Sequence, residues 1–272
     1  MAKDFAILIP ARFASSRYPG KPLAKLRGPD GVARSLIERS WLAALAVAPR
    51  ERIWVATDDA RIAQEVESFG GQVVLTPASC RNGTERCAAA LDVLGEIAPV
   101  IVNLQGDAPL TPAFVVAALA AALGSDEAAA MATPALACSP SLYRHLVADQ
   151  AAGRVGGTTV VGDAAGRALY FSKRVLPHLP ADAPQAHERV RLHLGVYAYR
   201  PAALSAYAAL EPGPLELAEG LEQLRFLENG LTVRLVPFAP LAWDCIELNN
   251  PEDVPAVEAA LRAMAAAEGA RP

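Results

Sequence analysis

The feature that most constrains the fold is an alternation of continuous apolar runs with helix-like stretches in the first half of the chain. The apolar runs are residues 5–10, 52–56 and 100–104. The stretches with helical spacing of apolar positions are residues 32–45 and 59–69. Strands that are apolar throughout are typical of a parallel sheet that helices cover on both faces. The first half of the chain therefore predicts a βαβαβ unit.

The second half of the chain is richer in candidate strands, which are joined by loops that contain Pro and Gly. The strands are residues 158–162, 168–172, 193–200 and 233–237, and the helices are residues 215–227 and 251–267. Together the halves predict an α/β fold: a Rossmann-like, mixed but mostly parallel sheet with helices on both faces and a strand-rich lobe. A chain of 272 residues is expected to form a single domain. Its approximate parts are residues 1–135, 136–240 and 241–272.

Composition excludes several classes of function. Although 53% of the residues are hydrophobic, no run reaches the ~20 apolar residues that a membrane-spanning helix requires, so no membrane insertion is expected. The net charge of −4 argues against nucleic acid as a partner, because duplex binding needs a basic surface. The four cysteines form no Cys-x-x-Cys pair, so we expect reduced thiols and no zinc. The first residues lack an export signal, which favours a cytoplasmic location.

The loop after the first strand concentrates positive charge. Residues 10–22 contain Arg12, Arg17 and Lys21 together with Gly20. Two guanidinium groups and a mobile ammonium suit the oxygens of a triphosphate, and a glycine lets backbone N–H groups approach an anion. The spacing matches neither a Walker A loop nor a Gly-x-Gly-x-x-Gly fingerprint. Taken alone, the loop could equally be a solvated basic surface.

Two further loops follow the ends of predicted parallel strands, where ligands of open α/β sheets collect. They are residues 57–59 and 105–109. In the second of these loops, Gly106 would let the backbone pass close to a ligand, although Asp107 could simply cap the following helix. Asn82, Gly83 and Thr84 offer amide, hydroxyl and backbone groups for a small planar base, but alone they predict only a turn before a helix.

The first loop resembles the IPAR-x-x-S-x-R-x-PGKPL signature of the CMP-KDO synthetases (3-deoxy-manno-octulosonate cytidylyltransferases) and related sugar-acid cytidylyltransferases. The resemblance continues in the same order through most of the chain. The matching segments are VATDD at 55–59, NGTER at 82–86, VNLQGD at 102–107, ALYFS at 168–172, HLGVYAYR at 193–200, LEQLR at 221–225 and NPEDV at 250–254.

The resemblance implies attack of a sugar's anomeric hydroxyl on the α-phosphorus of CTP, with Mg²⁺ as cofactor and a homodimer as the assembly. The partners would be CTP and a small sugar acid. The implied catalytic residues are Arg12, Arg17, Lys21 and Asp107. The implied nucleotide-binding residues are Ala11, Arg12, Asn82, Gly83, Thr84, Arg86 and Gln105. The implied sugar-binding residues are His193, Tyr197, Glu222 and Gln223, and the implied metal ligands are Asp107 and Asn249.

These sugar-site assignments have plain structural alternatives. His193 and Tyr197 could be strand residues that pack across a sheet, and residues 221–227 have ordinary helical amphipathicity.

The chain departs from the family pattern at three places. Ala108 stands where an acidic residue is usual, Thr159 where a lysine is expected, and Asn249 where the family has a metal-binding aspartate. An asparagine oxygen can bind Mg²⁺ but brings no charge, so Asp244 or Glu247 is a candidate to compensate. Two alternatives to sugar-acid transfer therefore stay open: nucleotidyl transfer to another sugar, and a non-catalytic CTP-binding protein.

Overall fold

The protein is described from a computed structural model that covers residues 4–14, 17–180 and 183–269. The strands are β1 Phe5–Ala11, β2 Lys25–Arg27, β3 Ala33–Ser35, β4 Ile53–Thr57, β5 Gln72–Leu75, β6 Val100–Leu104, β7 Met131–Ala137, β8 Thr158–Gly162, β9 Ala168–Ser172, β10 Arg191–His193, β11 Val196–Tyr199 and β12 Val233–Phe238. The α-helices are α1 Leu36–Leu45, α2 Ala60–Ser68, α3 Gly83–Leu94, α4 Ala113–Gly124, α5 Pro140–Ala151, α6 Pro201–Ala209, α7 Pro214–Glu219, α8 Leu224–Glu228 and α9 Val254–Gly269.

One 10-stranded sheet organises the fold. Its strands follow the order β5-β4-β1-β6-β11-β7-β10-β8-β9, and β12 pairs with β7. The first-half strands β5, β4, β1 and β6 are parallel neighbours, whereas β11 joins β6 and β7 in antiparallel fashion. The predicted mixed α/β fold is therefore confirmed. The second-half strands continue the same sheet, and the approximate division at residue 135 falls inside β7.

Apolar side chains of β1 alternate between two cores. Ile7 and Ile9 pack in the core that also contains residues of α1, α2 and α4, while Leu8 packs with residues of α3 and α6 on the opposite face. Burial on both faces explains why β1 is apolar at every position. β4 and β6 are apolar except for Thr57 and Asn103, which are also buried. Among the described residues, no helix is both long enough and apolar enough to cross a membrane.

Three predicted elements differ in detail. The helix predicted from residue 32 begins at Leu36, because residues 33–35 pair with β2 and the Ser35 side chain caps the helix. The predicted strand 193–200 is divided into β10 and β11. The predicted helix 215–227 is divided into α7 and α8 by Gly220, whose left-handed backbone (φ 61°) ends α7. This last division leaves residues 221–223 in a turn.

Candidate active site

A cleft of about 700 Å³ opens at the carboxyl ends of β1 and β6. It brings together most of the predicted site residues, from segments that lie far apart in the sequence. The predicted residues in its lining are Ala11, Arg12, Arg17, Lys21, Asn82, Gly83, Arg86, Gln105, Asp107, Tyr197, Glu222, Gln223 and Asn249. Thr84 and His193 are outside the lining, and so is the predicted site loop 57–59.

The basic loop after β1 faces two groups across the cleft. The ammonium of Lys21 is 2.6 Å from Oδ2 of Asp107. The guanidinium of Arg17 donates to Oδ1 of Asn249 over 2.9 Å. Within the part of the chain that the structure describes, Arg12 is exposed and has no acidic partner within salt-bridge distance. The loop therefore presents one unpaired cation and two that would have to exchange partners to bind an anion.

The turn after β6 requires glycine at position 106. A Cβ atom there would be 2.7 Å from the carbonyl oxygen of Pro10, which is too close for any real contact. The hydroxyl of Ser40 on α1 also donates to the Gly106 carbonyl over 3.0 Å. This packing fixes the turn against β1 and sets Asp107 opposite the basic loop.

The amino end of α3 forms another wall of the cleft. The Asn82 side chain caps this helix by accepting from the backbone N–H of Glu85 over 2.8 Å, and its amide nitrogen donates to the Tyr207 hydroxyl over 3.0 Å. A Cβ atom at Gly83 would be 3.0 Å from the amide of Gln105, so the two residues are closely apposed. The positive end of the helix dipole thus points to the cleft.

Thr84 and Arg86 on the same helix have protein partners. The Thr84 hydroxyl lies 2.8 Å from that of Tyr199, behind the cleft wall. The guanidinium of Arg86 is almost fully buried and lies 3.2 Å from Oδ1 of Asp58 and 2.7 Å from the Thr76 hydroxyl. Arg86 therefore borders the cleft with its charge neutralised by Asp58 and its side chain held in place by these contacts.

The turn between α7 and α8 carries Glu222 and Gln223 into the cleft. The Glu222 carboxylate accepts from the backbone N–H of Thr84 over 3.2 Å, and burial raises the pKa of Glu222 to about 7. The Tyr197 hydroxyl donates to Oε1 of Gln223 over 3.4 Å. The amide nitrogen of Gln223 is buried and has no hydrogen-bond partner among the residues that the structure describes, although it belongs to a residue that lines the cleft. A buried donor without a partner is costly, so a polar partner for this amide would be favourable.

His193 is placed in a row of aromatic rings rather than in the cleft lining. Its ring lies 5.0 Å from that of Phe171 and 5.5 Å from that of Tyr197, and its Nε2 is 2.9 Å from the Thr133 hydroxyl. Burial lowers the pKa of His193 to about 3, so the imidazole is neutral. His193 supports Tyr197 from behind, and its predicted contact with a sugar stays a prediction.

The closing loop before α9 separates the two candidate compensating acids. Both side chains are exposed, but Glu247 lines the cleft and Asp244 lies outside the lining. The backbone N–H of Leu248 donates to the Asp107 carbonyl over 3.3 Å, which ties this loop to the turn after β6. Partial removal from water, and then the nearby Asp107 carboxylate, raise the pKa of Glu247 to about 7. The residue still faces the water of the open cleft.

Sequence reasoning assigned no role to Arg225, although this residue is in a segment that resembles the family. Only 1% of its surface is exposed. It makes two hydrogen bonds to the Glu216 carboxylate, of 2.6 and 2.7 Å, and lies 3.1 Å from Glu85 on α3. Arg225 therefore joins the turn with Glu222 to the helix that caps the cleft. The sequence did contain one sign of this role: Arg225 occupies a position in the predicted helix where the helical spacing calls for an apolar residue.

Comparison with known proteins adds an independent line of information. Residues 6–233 match the model of a family described as Cytidylyltransferase. A 3-deoxy-manno-octulosonate cytidylyltransferase of Maricaulis maris is 43% identical over 258 residues, which are 94% of this chain and 96% of the relative. The same-named protein of Porphyromonas gingivalis is 37% identical over 96% of this chain and 98% of its own.

A solved structure has the same fold. It is that of CMP:2-keto-3-deoxy-manno-octonic acid synthetase complexed with CTP, and it aligns with a TM-score of 0.79 at 34% identity. The alignment covers 97% of this chain and 99% of the other.

Proposed function

Because the chain belongs to the family of 3-deoxy-manno-octulosonate cytidylyltransferases, we propose that it transfers CMP from CTP to the anomeric hydroxyl of 3-deoxy-manno-octulosonate or a related 2-keto-3-deoxy sugar acid. Pyrophosphate leaves. The observation that carries the proposal is the convergence, in one cleft, of the basic loop, the Asn82-Gly83 helix start and the Gln105-Gly106-Asp107 turn. Nucleotidyl transfer depends mainly on positioning and on charge neutralisation, which such a cleft can supply.

The triphosphate would bind at the basic loop. Arg12 is free to grip phosphate oxygens, while Arg17 and Lys21 would exchange Asn249 and Asp107 for phosphate. These existing contacts hold the two cations near their working positions before the nucleotide arrives. Less side-chain entropy is then lost on binding.

The base and the sugar acid would occupy the two ends of the cleft beyond the loop. Ala11, Asn82, Gly83 and Gln105 surround a slot for the cytosine at the start of α3. The sugar acid would contact Tyr197, Glu222 and the amide group of Gln223. Between them, a hydroxyl, a carboxylate and an amide can both donate to and accept from the hydroxyl groups of a sugar. Arg86 and Thr84 would support this arrangement from the helix.

The donors around Asp107 fit Mg²⁺. Within the described ranges, no three His, Cys, Asp or Glu side chains converge as a metal site. The cleft lining nevertheless offers two carboxylates and one neutral oxygen, from Asp107, Glu247 and the side-chain amide of Asn249. Mg²⁺ needs few protein ligands when phosphates and water complete its coordination shell. Bound there, the ion would neutralise charge on the triphosphate and on the departing pyrophosphate. Glu247 would supply the charge that Asn249 lacks.

Metal binding can be tested apart from turnover. Calorimetric titration of Mn²⁺ into protein saturated with a non-hydrolysable CTP analogue gives the metal Kd. Asp107→Asn and Glu247→Gln should each raise it, Asn249→Asp should lower it, and Asp244→Asn, in the same loop but outside the cleft, should leave it unchanged. An unchanged Kd in Glu247→Gln would remove Glu247 from the metal site, and a raised Kd in Asp244→Asn would place the compensating charge there instead.

The activity test uses a panel of 2-keto-3-deoxy sugar acids with each of the four ribonucleoside triphosphates. Formation of an acid-labile CMP-sugar, with pyrophosphate, from CTP and an octulosonate is the expected result. Turnover with another triphosphate and a sugar phosphate would favour the first alternative. Thermal stabilisation by CTP without any CMP-sugar product would favour a binding protein.

A homodimer in the cytoplasm completes the proposal. It rests on the family membership and on the strand-rich second half as a self-association surface. Light scattering coupled to size-exclusion chromatography gives the mass in solution, for which a single chain would be 28.5 kDa. Cell fractionation tests the location.

A further inference from the structure

Phe13 links the basic loop to a residue outside the cleft. The guanidinium carbon of Arg61 lies 3.3 Å from the centroid of the Phe13 ring. The same ring packs against Gly20, where a Cβ atom would come within 3.0 Å of ring carbons. The backbone N–H of Gly20 also donates to the Phe13 carbonyl over 2.9 Å. Phe13 thus contacts Gly20 by both its ring and its carbonyl group, and its ring lies beneath a cation.

Arg61 is itself fixed in place by Asp59. Its Nε and Nη2 donate to the two carboxylate oxygens of Asp59 over 2.9 and 2.6 Å. Asp59 caps α2 by accepting from the backbone N–H of Arg61 over 2.9 Å. A bidentate pair of this kind restricts both the position and the plane of the guanidinium. The contact chain therefore runs from the end of β4 through Asp59 and Arg61 to the loop after β1.

The charge on this contact is balanced. The basic loop carries Arg12, Arg17 and Lys21, so an unpaired fourth cation beside it would add repulsion. Pairing with Asp59 neutralises Arg61, while its face remains available to the aromatic ring. Arg61 can thereby hold Phe13 without competing for the anion that the loop would bind.

We propose that Arg61 and Phe13 are positioning residues that hold the basic loop in its triphosphate-binding shape. This inference rests on the proposed function. Neither residue lines the cleft, so neither would touch the nucleotide, and their effect would act through the loop that carries Arg12 and Lys21. A loop that is already shaped for its ligand loses less conformational entropy on binding, and this appears as affinity.

The test compares Arg61→Ala, Phe13→Leu and the double variant by calorimetric CTP binding and by steady-state kinetics. Each single variant should raise the Kd and KM for CTP about 3- to 10-fold with little change in kcat. The double variant should be no worse than the poorer single variant, because both changes remove one contact. Arg61→Lys keeps a cation over the ring and should recover part of the affinity.

A matched control is available at Arg154. This exposed arginine is also paired with a nearby aspartate, because its Nε and Nη2 donate to Oδ1 of Asp149 over 3.0 and 2.6 Å, outside the cleft lining. Arg154→Ala should leave CTP affinity unchanged.

The possible failures are distinguishable. If wild-type protein binds CTP and the Arg61 and Phe13 variants bind it equally well, or if their effects add fully, the positioning role is refuted. If wild-type protein does not bind CTP at all, the proposed function fails and this inference fails with it.

Discussion

The ionisation of Glu222 in the cleft should be detectable in the pH dependence of protein stability, without an activity assay. The Glu222 carboxyl group lies in the wall of the cleft, and partial burial raises its pKa from 4.5 to about 7. Between these two values the folded chain binds more protons than the unfolded chain. The contribution of Glu222 to stability therefore falls as the pH rises through this window and is constant above it. Glu222→Gln removes the titration while keeping an oxygen that can accept from Thr84.

The size of the effect follows from the pKa change. A rise from 4.5 to about 7 corresponds to about 3.4 kcal/mol at about 1.36 kcal/mol per unit. Glu222 is only partly buried and the cleft is open to water, so screening should reduce the cost to about 1–2 kcal/mol. For a chain of this size that corresponds to a Tm increase of about 2–6 °C in the variant at alkaline pH.

Thermal unfolding followed by circular dichroism, at about pH 5 and about pH 8, measures this difference. The variant should gain stability at the higher pH and much less at the lower one. Glu127→Gln, which removes a negative charge from an exposed loop residue, controls for net charge and should show no such difference. An equal Tm gain at both pH values, or a loss at the higher pH, would refute the reasoning.

Three further predictions concern contacts that the cleft depends on. Lys21→Ala removes a charge-assisted contact to phosphate and should lower kcat/KM for CTP by about 10²–10³-fold in steady-state assays without lowering the Tm. Arg225→Leu leaves the buried Glu216 carboxylate without its partner and should cost about 3–5 kcal/mol in urea unfolding, whereas replacing both residues by apolar ones should recover part of this. Gly106→Ala forces a clash with the Pro10 carbonyl and should cost about 1–3 kcal/mol, measured in the same way.

Much of the first half could be predicted from local pattern. β1, β4 and β6 follow from runs that are apolar almost throughout, since a strand buried on both faces has no solvent-exposed polar side. The limits of α2 follow from Asp59 as its cap and Gly70 after its end. Because parallel strands place their carboxyl ends at one edge, the meeting of the basic loop with the turn at Asp107 could also be predicted.

The prediction of one helix over residues 215–227 was wrong for a reason that local pattern cannot reveal. The apolar spacing is compatible with a continuous helix, and Gly220 alone is only a weak signal. The break is stabilised by long-range contacts, because Arg225 binds Glu216 across the turn and reaches Glu85 on α3. Those contacts turn Glu222 and Gln223 toward the cleft instead of along a helix face.

What the sequence by itself determined is the fold class and the position of β1, β4 and β6, because periodicity is a local property. The residue types of the site followed from the family resemblance. β5 and β7 were not predicted. Only the tertiary structure decided which polar groups share the cleft. Asp244 and Glu247 are equivalent in sequence, yet only Glu247 lines the cleft. His193 and Tyr197 lie in strands that are consecutive in the chain and flank β7 in the sheet, yet only Tyr197 reaches the cleft. Burial and charge pairing depend on neighbours distant in the chain, and these exist only once the sheet and its helices have packed.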